Sequence, residues 1–147
     1  MAEYFKLHRA LLTELMASLA VGLIALSMVF AAGWNWSKGW PFLLLLYLRN
    51  LNTTLYVHFR LKLDRNQQPS FFWPQVWQWL TLILAVILQV RQAIPFPAFL
   101  SVVVLGLRGI YGLSPWRKKM TVKQIGLAEF VFGLQFVVLS ALGYLNF

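Results

Sequence analysis

Cysteine is absent from this 147-residue chain. Disulfides, thiol nucleophiles and cysteine-based metal sites are therefore excluded. Acid is scarce: Glu3, Glu14, Asp64 and Glu129 are its only four carboxylate side chains. A magnesium–diphosphate site needs oxygen ligands, and one chain with so few carboxylates offers little to build it from. Charged residues make up only 12% of the chain, about half the usual share of a soluble domain. Apolar and polar residues do not alternate with a period of two, which argues against a transmembrane barrel.

Apolar residues are abundant instead, at 60% of the chain, with a mean hydropathy of +0.67. A soluble core of this size leaves too much of the chain exposed to hide so much apolar surface. The expected fold is all-α: one integral membrane domain, a helical bundle of about five transmembrane helices. A span needs roughly 20 apolar residues to cross the hydrocarbon core. Five stretches meet that length, at about Ala10–Ala32, Trp40–Arg60, Phe71–Val90, Ala93–Leu113 and Gln124–Phe147. The first reads as a span and not as a cleaved leader. Its apolar run exceeds a typical leader core, and no clear cleavage site precedes Trp34.

The net charge of +9 follows from topology. Lys6 and Arg9 precede the first span, Arg60, Lys62 and Arg65 follow the second, and Arg117, Lys118, Lys119 and Lys123 follow the fourth. The alternate loops hold only Lys38 and Arg91. Basic loops stay in the cytoplasm, so the N-terminus is expected inside, in a bacterial cytoplasmic (inner) membrane. Membrane lipids, not nucleic acid, are the expected partners of this charge. The seven tryptophans fall near the expected helix ends, as interfacial rings do. The six prolines are expected at helix ends or in loops, none of them breaking a helix interior.

Four charges remain within expected spans: Glu14, Arg49, Arg108 and Glu129. Each costs roughly 2.5–3.5 kcal/mol at mid-span, so two acids and two bases are expected to meet inside the bundle. In the second span Arg49, Asn52, Thr53, Tyr56 and Arg60 share one stripe at helical spacing. Glu129 shares its face with Gly126, Gly133, Phe136, Ser140 and Gly143, small residues that favour close helix approach. Ser101, Arg108, Tyr111 and Gly112 occupy neighbouring positions on the fourth span. A polar interior opening toward the cytoplasm is the expected result.

Three readings of that interior stand side by side. Its ion pairs fix helix register; or Arg49, Asn52, Tyr56, Arg60, Arg108 and Tyr111 form a pocket for an anion or lipid headgroup, Arg matching phosphate in a bidentate way; or the acids relay protons. In the pocket reading Glu14 and Glu129 are the buried acidic partners, and neither a metal nor a cofactor is expected. His8 and His58 read as interfacial side chains and not as metal ligands. Gly106 and Gly109 lack the strand of a phosphate loop and read as packing positions.

Three blocks carry a family resemblance. They are Tyr47–Asn52 leading to Leu55–Arg65, Leu107–Pro115 with the basic cluster after it, and Ile125–Leu134. In order and spacing they resemble the C-terminal part of the YwiC-like membrane proteins, over about Ala10 to the end of the chain. That family is distantly similar to the UbiA-type intramembrane prenyltransferases, so the resemblance implies a UbiA-like bundle of undefined biochemical role. The UbiA-type enzymes hold magnesium and diphosphate with Asp-rich motifs. Asp64 is the only aspartate here, so prenyl transfer is expected only where a second chain completes the site. The function expected is binding of an isoprenoid or lipid phosphate. The alternative is a small structural or assembly subunit, packed against a second copy or a larger membrane complex.

Overall fold

The structure is a computed structural model that describes the backbone of residues 2–64 and 72–147 and the side chains of residues 13, 16–64 and 72–147. It is all-α. Five helices follow one another: α1 (Ala2–Ala31), α2 (Trp36–Asp64), α3 (Phe72–Val90), α4 (Phe96–Gly112) and α5 (Val122–Leu145). No strand occurs among the described residues.

Helix starts explain where these bounds differ from expectation. α2 begins one turn before Trp40 because the Asn35 carboxamide accepts a hydrogen bond from the Lys38 N–H at 3.3 Å, satisfying a first-turn donor. Pro41 therefore lies inside α2, not at its edge as expected. It sits close enough to the helix start that only one early hydrogen bond is forgone. α5 opens at Val122 on a capping box: Gln124 N–H donates to the Thr121 hydroxyl at 3.3 Å, and Thr121 N–H donates to the Gln124 carboxamide at 2.9 Å. Pro95 and Pro97 bracket the start of α4, where a missing N–H costs nothing.

α2 is the hub. It packs against α1, α3, α4 and α5, whereas among the described residues α1 packs against α2 alone. The reason is written in its sequence. Pro41, Leu45, Leu48, Asn52, Tyr56, Arg60 and Leu63 recur every three or four residues and are all buried. Leu45 and Leu48 join Ala85 and Leu88 of α3, Ala98, Val102 and Leu105 of α4, and Phe136 of α5 in one apolar core. At the other end of that stripe Tyr56, Leu63 and Leu113 form a smaller cluster.

The outer surface is apolar as well. Ile83, Val86, Ile87 and Val90 of α3 and Leu127, Val131, Leu134 and Val138 of α5 are all exposed. α3 and α5 are the two described helices long and apolar enough to cross a membrane. α4 is apolar but shorter, at 17 residues, and α2 is interrupted by the polar stripe.

Gly106, Gly109 and Gly112 line the inner face of α4 against Leu82, Gln78 and Tyr56, the packing role expected of the first two. A methyl group at Gly112 would enter the Tyr56 ring, whereas one at Gly126 would meet nothing. Gly112→Ala is therefore expected to lower thermal stability in detergent by the equivalent of about 1–3 kcal/mol. Gly126→Ala is expected to leave it unchanged or raise it. Equal melting temperatures for the two variants would show that the close α2–α4 contact is absent.

Candidate functional site

Three helices bring four of the expected polar residues together. Arg49 lies near the midpoint of α2, and Tyr56 lies two turns further on. Arg108 lies one turn before the end of α4. Glu129 lies two turns into α5. Because α4 and α5 run in opposite directions through a short connection, the last two reach the same depth. They form an ion pair, Arg108 Nη1 to Glu129 Oε1, at 2.8 Å, with the side chains 9% and 15% exposed.

Aromatic rings enclose the cation. The Arg108 guanidinium carbon is 4.3 Å from the centre of the Tyr56 ring and 4.9 Å from that of Phe132. Cation–π contacts of this kind are worth about 2 kcal/mol or more once desolvated. They hold the guanidinium but give its N–H groups no acceptor. Arg108 Nε finds no hydrogen-bond partner among the described residues, and the contact to Glu129 is not aligned as a hydrogen bond.

Arg49 is the second cation at the site. Its guanidinium carbon is 5.4 Å from the centre of the Phe136 ring, and its Nη1 donates to the side-chain Oδ1 of the neighbouring Asn50 at 3.1 Å. Gly133 makes room for it: a methyl group there would stand 2.7 Å from Nη2. Glu129 and Arg108 are both within electrostatic reach of Arg49, while its Nε lacks a partner among the described residues. Among the described residues, Glu129 is the carboxylate near both guanidinium groups, and it is in ion-pair contact with that of Arg108. Asn52, between Arg49 and Tyr56 on the α2 stripe, is 2% exposed, and neither atom of its carboxamide meets a described partner. An unmet buried amide costs about 1–3 kcal/mol.

The remaining expected residues are placed elsewhere. Tyr111 is 55% exposed and faces away from the cluster. It lies beyond Arg108 on the side opposite the inward glycines, and its ring is too rigid to turn back as a long arginine does. Arg60 is buried but committed. Its Nε pairs with Asp64 at 3.0 Å, and its two terminal nitrogens donate to the carbonyls of Gly112 and Lys118. It closes one end of the bundle and presents no free donor toward Arg49. The Glu14 side chain lies outside the described residues, and so does the expected neutralisation of a second arginine by it.

Some contributors were missed. Phe132, the second ring against Arg108, sits one turn beyond Glu129 and reads as an ordinary apolar residue. Gln78 of α3 is buried against Gly109 with its carbonyl unpartnered among the described residues. No spacing pattern marks it. Among the described residues there is no group of histidine, cysteine and carboxylate side chains able to hold a metal ion.

Two grooves run along α2, one against α1 and one against α1 and α5. One, of about 330 Å³, is lined by Ser18, Leu19, Tyr47, Asn50 and Leu51. The other, of about 280 Å³, runs past Val29, Phe42, Leu46, Phe136 and Val137. Asn50, the partner of Arg49, lines the first, and Phe136, the ring under Arg49, lines the second. Each groove therefore includes one side chain that touches Arg49.

Breaking a buried pair by removing one partner costs about 3–5 kcal/mol. Glu129→Gln is expected to destabilise more than Arg108→Gln. It strands two cations, whereas the loss of Arg108 leaves Glu129 with Arg49. The double variant is expected to cost less than the two single costs added. Thermal unfolding of the four proteins in one detergent tests this, and strict additivity would mean the pair is not formed.

No family model matches the chain, and neither a curated protein nor a solved structure matches it.

Proposed function

We propose that this chain is a multi-pass protein of the bacterial cytoplasmic membrane that binds an anionic amphipath, of the isoprenoid-phosphate or lipid-phosphate class. The phosphate meets Arg49 and Arg108, and the chain lies in the apolar grooves along α2. The observation that carries this reading is that, among the described residues, two guanidinium groups lie near a single carboxylate, beside an Asn52 amide with no described partner, in apolar surroundings. A phosphate oxygen supplies what these donors lack, and arginine's planar fork suits it.

The membrane setting is supported by the apolar outer faces of α3 and α5. In water such continuous apolar surface would drive association. The arrangement of basic segments supports a cytoplasmic N-terminus, which puts Arg108 and Glu129 in the cytoplasmic half of the bilayer. The resemblance of the three sequence blocks to YwiC-like proteins, and through them to UbiA-type bundles, agrees with an isoprenoid-bearing ligand. The scarcity of carboxylates favours binding over prenyl transfer.

A structural subunit is the second reading, favoured by the Arg108–Glu129 pair, which ties α4 to α5 whether or not a ligand comes. Native mass spectrometry of the detergent-solubilised protein separates the two. A long-chain prenyl phosphate, a phosphatidic acid and the uncharged prenyl alcohol are added in turn. Retention of a phosphate-bearing probe but not of the alcohol is expected. Arg49→Gln is expected to weaken that retention roughly 10-fold or more, the worth of one charged hydrogen bond, with little loss of stability. Equal retention of phosphate and alcohol, or no effect of Arg49→Gln, would overturn the pocket and favour the structural role.

A further inference from the structure

The end of the bundle where α2 and α4 finish and α5 begins carries a basic surface held from within. Trp116, in the α4–α5 connection, is 85% exposed. Lys118, Lys119 and Lys123 are exposed beside it. From Leu113 to Ala128 the sequence contains no acid. Asp64, which meets this segment at Arg117, is turned inward, 3.0 Å from Arg60 and 3.6 Å from Arg117.

The cations of this segment are sorted by direction. Arg117 points in, and its Nη2 donates to the Leu63 carbonyl at 3.4 Å. Arg60, 2% exposed, donates to the carbonyls of Gly112 and Lys118. A buried guanidinium is thereby spent on the backbone shape of an exposed loop, directly beneath the first of three outward lysines. A topology signal requires only that positive charge be present near the span. It does not require a fixed backbone, nor a fully presented indole.

We propose that the α4–α5 connection is a docking surface for anionic phospholipid headgroups. Lys118, Lys119 and Lys123 meet the headgroup phosphates, and Trp116 is seated at the interface between headgroups and chains. Charge complementarity selects the anionic lipid, at about 1 kcal/mol per surface cation. The indole's preference for interfacial depth selects a bilayer over an acidic protein partner. This rests on the membrane reading above but is independent of any ligand at Arg49 and Arg108.

The full-length protein is placed in lipid nanodiscs, which leave both faces accessible, made of phosphatidylcholine alone or of a mixture with phosphatidylglycerol. A water-soluble amine-acylating reagent is added, and the rate at each lysine is read by mass spectrometry. Phosphatidylglycerol is expected to slow labelling of Lys118, Lys119 and Lys123 roughly fivefold each, and high salt is expected to restore it. Arg60→Ala is expected to shrink the lipid effect. Trp116→Ala, at an exposed position that leaves the fold intact, is expected to do the same and keeps the test decisive should Arg60→Ala not fold. Equal rates in the two lipids, with the protein incorporated, would overturn this proposal and leave the membrane reading standing. A protein that does not enter nanodiscs would overturn both. Lysines shielded only by a bound acidic protein, and not by lipid, would assign the surface to that partner and overturn the proposal.

Discussion

An arginine held among apolar side chains must keep an opposite charge or a ring face within reach. In this protein the Arg108–Glu129 contact meets that requirement at 2.8 Å. The geometry around it follows. α4 and α5 must lie antiparallel and in register for the two side chains to meet. Tyr56 and Phe132 must cover the guanidinium from either side. Gly112 must be small so that Tyr56 can lie against α4. A single electrostatic demand thereby fixes the relation of three helices, a task apolar packing alone performs with little selectivity.

Arg49 is held differently, and the contrast is informative. It has a ring face in Phe136, a carboxamide in Asn50, and a carboxylate already engaged by Arg108. Gly133 leaves the space its guanidinium occupies. The first arginine is thus built into the frame, while the second touches a side chain of each groove and keeps its Nε without a partner among the described residues. Arg60 represents a third use of the same side chain, its donors consumed by Asp64 and two loop carbonyls. Three arginines of one chemistry are divided among pairing, presentation and closure by what their neighbours offer.

Much of this was legible before any coordinates. Helix class followed from the length and apolarity of the runs. The burial of Asn52, Tyr56 and Arg60 on one face of α2 followed from their spacing, whereas the expected stripe missed Leu45 and Leu48 and included Thr53, which is only partly buried. That intramembrane acids and bases would meet followed from the cost of leaving them alone, but which acid meets which base, here Glu129 and Arg108, did not. Other features depended on shape that spacing does not encode. The start of α2 turned on a single carboxamide at Asn35, hidden between tryptophans, and moved Pro41 into the helix. Tyr111 lies only three positions from Arg108, but a stiff ring cannot reach around a helix as a long aliphatic stem can. Arg60 shares the α2 stripe yet bonds with a loop some fifty residues away, a partner that periodicity within one helix does not reveal.

The attachment of α1 has a consequence of its own. Among the described residues it leans on α2 along one seam, whereas each of the other four helices is gripped by at least two neighbours. Detaching an element costs the interfaces it breaks, so the first helix is the cheapest to release. Its departure would unroof the strip of α2 that carries Tyr47 and Asn50 while the remaining four helices kept their ion pair and their arginine latch. Hydrogen exchange in such a molecule is ordered by attachment, fastest along that single-seam helix and slowest where α2 is surrounded.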